Sequence, residues 1–117
     1  METPSRILVV EDEPLIAMML EDFLDMLGHR VAGTADSVDG ALAVIGQGGV
    51  DAAILDVNLR GGEKSGPIAD ALAGDDIPFV LATGGSSDTI PDHHRDRPTL
   101  AKPFTMDGVK KVLADLG

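Results

Sequence analysis

The chain has 117 residues, with 9 Lys and Arg against 20 Asp and Glu, and a net charge of −11 repels both the phosphate backbone of nucleic acid and an anionic membrane. The length suits one domain, 1–117 with a core at about 6–116, and leaves too little material for a second core. No apolar run approaches a bilayer span, residues 1–6 lack the basic head and apolar stretch of a signal peptide, and there is no Cys for a disulfide frame, so a cytoplasmic protein is expected.

In chain order, strand and helix signals alternate, the pattern of an α/β fold with a parallel sheet. Arg6 to Val10 reads as a first strand. Pro14 suits the first turn of a helix that runs to about Leu27, with Gly28 ending it. Ile16, Met19, Leu20, Phe23 and Leu27 fall on one face of that helix, and Ala17, Leu24, Leu15 and Met26 widen the apolar arc. Packing against a neighbouring helix accounts for the surplus more simply than self-association. Val31 to Ala35 reads as a second strand, and Asp36 or Ser37 then caps a helix whose inward stripe is Val38, Leu42 and Ile45.

After the Gly46-Gln47-Gly48-Gly49 break, Ala52 to Leu55 is a short continuous apolar run, as in a strand buried on both faces, and it ends on Asp56. Residues 58–66 read as a solvated turn. A short helix from Pro67 sets Ile68, Ala71 and Leu72 inward, and Phe79 to Thr83 forms the next strand. Between Gly84 and Pro98 the signal leaves room only for a short, weak helix near Ser87 to His94; His93 and His94 lack a matching ligand partner and are assigned no metal. Thr99 to Ala101 reads as a last strand, and a final helix capped by Thr105 shows Val109, Val112, Leu113 and Leu116 at helical spacing.

Four of these strands end on reactive polar groups: Glu11 and Asp12, Asp56, Thr83, and Lys102. Each has an ordinary explanation alone. The acids Glu11-Asp12-Glu13 complement a helix N-terminus, Thr83 could cap a helix, and a Lys before Pro is usually surface. In an open parallel sheet, however, the carboxyl ends of the strands share one edge where ligands bind. An acid pair, a central Asp, a hydroxyl and a Lys gathered there are the parts of a phosphoryl-accepting site.

Val9-Val10-Glu11-Asp12-Glu13-Pro14, Ile54-Leu55-Asp56-Val57-Asn58-Leu59, Ala82-Thr83-Gly84 and Lys102-Pro103-Phe104 together resemble the receiver domain of bacterial two-component response regulators. The resemblance covers about Arg6 to Leu116 and implies a flavodoxin-like (βα)5 doubly wound fold, its parallel strands in the order 2-1-3-4-5 between five helices. Pro78-Phe79-Val80-Leu81-Ala82-Thr83-Gly84-Gly85 is similar to the FATGUY receivers, often stand-alone proteins, with Leu81 in place of the signature Phe.

The resemblance implies that Asp56 accepts a phosphoryl group from a sensor histidine kinase or phosphotransfer protein, and that a downstream protein partner reads the result. Mg²⁺ is the implied cofactor, since a carboxylate attacks a phosphoryl group poorly unless the developing charge is neutralised. Asp12 and Asp56 would supply carboxylate ligands, Asn58 its backbone carbonyl, and Glu11 would act through a metal-bound water. Lys102 would pair with Asp56 and then with a phosphoryl oxygen, Thr83 would donate its hydroxyl, and Gly84 would bring its N–H close. The family's cis peptide would fall at Lys102-Pro103.

Most such receivers place an aromatic three residues before the Lys. That position here is Thr99, and the three aromatics of the chain are Phe23, Phe79 and Phe104, so an aromatic switch is not expected and the response falls instead to the Gly84 to Pro98 segment. A monomer or weak homodimer that catalyses nothing beyond its own phosphorylation and dephosphorylation is the expectation. A Mg²⁺-dependent phosphohydrolase with an Asp nucleophile is the alternative, but so short a chain has little material for a substrate cap. An FMN module fits worse, because Glu11-Asp12-Glu13 stands where a phosphate would want Ser, Thr or Gly.

Overall fold

The computed structural model describes residues 6–56, 66–83, 99–101 and 105–116. Among these residues nine elements follow one another: β1 (Arg6–Val10), α1 (Pro14–Met26), β2 (Arg30–Ala35), α2 (Val38–Gln47), β3 (Ala52–Asp56), α3 (Gly66–Gly74), β4 (Phe79–Thr83), β5 (Thr99–Ala101) and α4 (Met106–Leu116). The five strands form one parallel sheet in the order β2-β1-β3-β4-β5, as the sequence reading expected. The weak helix expected near Ser87 to His94, the segment 84–98 and the Lys102-Pro103 peptide lie outside the described residues.

Strand residues alternate between two cores because successive side chains leave a strand on opposite faces. Leu8, Val10, Ala53, Leu55, Phe79 and Leu81 pack with α2 and α3 through Ala41, Ile45, Ile68, Ala69 and Leu72. Their neighbours Ile7, Val9, Ala52, Ile54, Val80 and Ala82 pack with α1 and α4 through Leu20, Leu24, Val109 and Val112. Burial on both faces is why β1 and β3 read as continuous apolar runs rather than alternating ones. Either cluster makes a large-to-small substitution costly, about 2–5 kcal/mol for a buried Leu→Ala.

Helix ends follow local chemistry. Ser37 caps α2, its Oγ accepting the Gly40 N–H at 3.1 Å, and Thr105 caps α4, its Oγ1 accepting the Gly108 N–H at 3.0 Å. Beyond α1, Gly28 takes φ +86°, a conformation costly for any residue with a Cβ.

Two expectations about helix faces need correction. In α2 the inward residues are Ala41 and Ile45, with Val38 and Val44 partly buried, while Leu42 is exposed. The missing side chain of Gly33 on β2 makes room for this packing: a Cβ there would stand 3.2 Å from Val44 Cγ1. In α1 the buried centre is Ala17, Leu20 and Leu24, flanked by the partly buried Ile16, Met19, Phe23 and Leu27. The surplus apolar residues Leu15, Met18 and Met26 are exposed, although α1 does pack beside α4. The second strand also starts one residue earlier than expected, at Arg30.

Candidate functional site

The site is built where the sheet reverses its direction of growth. From β1 the chain passes through α1 to β2 on one side, whereas β3 continues through α3 to β4 on the other. Because α1 and α3 belong to opposite faces, the ends of β1 and β3 mark the switch point of the sheet, where open parallel sheets bind their ligands. Glu11 and Asp12 follow directly on β1, and Asp56 is the last residue of β3, one step beyond the Val10–Leu55 pair.

Each of these three acids offers a carboxylate oxygen, and the three oxygens lie within 4.8 Å of one another. Glu11 and Asp56 are buried, each only 4% exposed, and Asp12 is half-buried at the rim. The backbone fixes Glu11 from two directions. Its N–H donates to the Ala35 carbonyl at 2.9 Å, tying the end of β1 to the end of β2, and its Oε1 accepts the Glu13 N–H at 3.2 Å. Glu13 occupies the cap position of α1 without a side-chain capping bond of its own. Glu11 therefore both satisfies a backbone donor at the start of α1 and belongs to the acidic cluster, so its two readings from sequence were not exclusive.

Anions crowded at this separation repel one another, and a divalent cation relieves the repulsion. An all-oxygen donor set is the kind that Mg²⁺ and Ca²⁺ accept, so the residues present fit a hard cation.

The neighbouring strands end at the same level. Asp56 pairs with Ala82, which puts Thr83 one step further along β4, and Thr83 pairs with Ala101, the last residue of β5 and the one before Lys102. Asn58, Gly84 and Lys102 lie outside the described residues. Sequence reasoning did not anticipate that Thr34, Ala35 and Asp36 wall a crevice of about 340 Å³ together with Glu11 and Asp12. The available signal was the end of β2, which had been read only as a strand end and helix cap.

Comparison with known proteins adds an independent line. The family model of the response regulator receiver domain matches residues 7–89. The chain belongs to this family. Receiver domains are the signalling modules of two-component systems, and the five-stranded order found here is the receiver fold.

Among relatives, this receiver is 32% identical to the phyllosphere-induced regulator PhyR of Methylorubrum extorquens over 114 residues, 94% of this chain but only 42% of PhyR, so it spans less than half of that relative. It is 66% identical to SdrG from Sphingomonas melonis Fr1, whose solution structure superposes with a TM-score of 0.89 over 99% of this chain and 98% of that one. A BeF3-activated conformation of SdrG, from Pseudomonas melonis Fr1, superposes at 0.83 with the same identity and coverage. No helix among the described residues is long and apolar enough to cross a membrane.

Proposed function

We propose that this receiver, read as a single domain, is a phosphoacceptor in which Asp56 takes a phosphoryl group from the phosphohistidine of a sensor kinase or phosphotransfer protein. The observation that carries the reading is the buried Asp56 at the switch point of the sheet, its carboxylate clustered with those of Glu11 and Asp12. A carboxylate oxygen of Asp56 attacks phosphorus, the phosphorus–nitrogen bond to the donor imidazole breaks, and the imidazole leaves with that electron pair. An acyl phosphate on Asp56 is the product.

Asp12 and Asp56 would hold Mg²⁺ directly, with the Asn58 carbonyl, and Glu11 would orient a bound water. When bound, the cation supplies neutralisation of the charge that gathers on the phosphoryl oxygens. The protein's own groups do the rest. Burial keeps bulk water from the Asp56 carboxylate, and the backbone bonds of Glu11 hold the acid pair in place. Thr83, at the end of β4, would donate its hydroxyl to a phosphoryl oxygen, Gly84 would give its N–H, and Lys102, following β5, would pair with a third oxygen.

The BeF3-activated conformation of SdrG supports the reading, since beryllofluoride on a carboxylate mimics a phosphoryl group. The 66% identity to SdrG supports a receiver of this kind, and an output through contact with a protein partner in the cytoplasm belongs to the same proposal. Intact-mass measurement after treatment with acetyl phosphate and Mg²⁺ tests it. One added phosphoryl group is expected, and none in Asp56→Asn. Unchanged labelling of that variant would overturn the assignment, and turnover of a small phosphate ester well beyond one equivalent would favour the hydrolase.

A further inference from the structure

The outer side of β2 is a second feature that the acidic site does not use. β2 ends the sheet, and among the described residues β1 is its sole strand neighbour. The Ala35 carbonyl accepts the Glu11 N–H, so Ala35 turns its backbone groups toward β1, and the two-residue alternation of a strand turns those of Thr34 outward. The register passes from Ile7–Val31 to Leu8–Gly33, so Ala32 has no counterpart on β1. No Pro or Lys protects the run Arg30 to Ala35, and its central side chains are the small ones of Ala32, Gly33 and Thr34.

Two crevices lie at the ends of this strand. One, about 460 Å³, is lined at its beginning by Asp25, His29, Arg30 and Val31. The other, about 340 Å³, is lined at its end by Thr34, Ala35 and Asp36 together with Glu11 and Asp12. Val31 packs on the α1 side of the sheet and Ala35 on the α2 side, about 13 Å along a strand, so one added strand reaches both crevices with side chains from its two faces.

The charge along this margin selects the occupant. Asp25, Asp36 and Asp39 are exposed beside the strand, and Asp12 stands at the second crevice. Arg30, with Arg6 beside it on β1, puts exposed positive charge at the opposite end. A second copy lined up antiparallel could pair Arg30 with Asp36 twice, but it would also bring two chains of net charge −11 along one acidic seam.

We infer that the open edge of β2 is a docking site for an extended basic segment of a protein partner, which adds to the sheet as a sixth strand and places a Lys or Arg in the crevice beside Asp36. Thr34 supplies outward backbone hydrogen bonds, Gly33 and the small side chain of Ala32 leave room for the added strand, and Asp36 contributes the charge. The edge adjoins the acid cluster, whose Glu11 and Asp12 line the same crevice, but strand pairing there needs no phosphoryl transfer.

A fluorescein-labelled nine-residue peptide of alternating Lys and Thr, with a Glu–Thr counterpart, tests the inference on the ¹⁵N-labelled full chain. The Lys–Thr peptide is expected to bind, with the largest amide shifts at residues 30–36, while the Glu–Thr peptide does not bind. Thr34→Pro removes an outward N–H at an edge position where proline is tolerated, and should weaken binding by about tenfold. Asp36→Lys should weaken it by about fivefold or more, the scale of an exposed charge pair lost and reversed. Should Thr34→Pro fail to fold, the exposed Asp36→Lys change decides the question. The inference is overturned if both peptides bind alike, if the shifts fall outside β2, if the folded variants bind as the parent does, or if the chain pairs with itself through β2.

Discussion

The three clustered carboxylates do unequal work, and their burial says how. Asp12 is half-buried at the rim, while Glu11 is buried and already accepts the Glu13 N–H through Oε1. If Asp12 binds a cation directly and Glu11 acts through water, Glu11→Ala should cost about tenfold in Mg²⁺ affinity, the scale of an indirect contact, and Asp12→Ala more than that. Titration calorimetry separates the two, and equal losses would contradict the division. Glu11→Ala should also lower thermal stability, because it leaves the Glu13 N–H at the start of α1 without its acceptor, a cost on the order of 1 kcal/mol.

At the level of elements, β2 and α2 approach each other closely. A Cβ on Gly33 would meet Val44 Cγ1 at 3.2 Å and Cγ2 at 3.3 Å. Gly33→Val forces a further two methyl groups into that contact and should destabilise the fold by about 1–3 kcal/mol, measured by urea denaturation. Adding Val44→Ala should recover part of the loss, a coupling that separate, independent defects would not show. The caps are lesser supports. Thr105→Ala removes the acceptor for the Gly108 N–H and should cost α4 about 1 kcal/mol, read as a melting temperature lower by roughly 4 °C.

For the whole molecule, a net charge of −11 on 117 residues sets a background of repulsion that any cation weakens. Specific binding at the acid cluster adds to this general screening and can be distinguished from it. At a Mg²⁺ concentration ten times its dissociation constant, binding to the folded chain alone should stabilise it by about 1.4 kcal/mol. NaCl at matched ionic strength should stabilise it less, and the excess should vanish in Asp12→Ala. If the two salts raise the melting temperature equally in the parent chain, the cluster does not bind the cation selectively.

The order and kind of the described elements were legible in the sequence, with their ends placed to within a residue. Short runs such as Ile7 to Val10 and Ala52 to Leu55 are too uniformly apolar for a half-exposed strand, and Ser37, Thr105 and Gly28 carry local signals that act within a few residues. The strand-end acids were legible for the same reason, since ending an apolar run on a carboxylate is a local event. Which side of a helix faces inward was less legible: Leu42 has the hydrophobicity for the core, but the close approach of Val44 to Gly33 decides that Ala41 and Ile45 occupy it. Sequence could likewise not show that Glu11 accepts the Glu13 N–H while Ala35 accepts its own, or that Thr34 and Asp36 wall the crevice beside it. Those contacts depend on the packing of α1 and α2 about the end of β2, and only the assembled tertiary structure sets distances between segments so far apart in the chain.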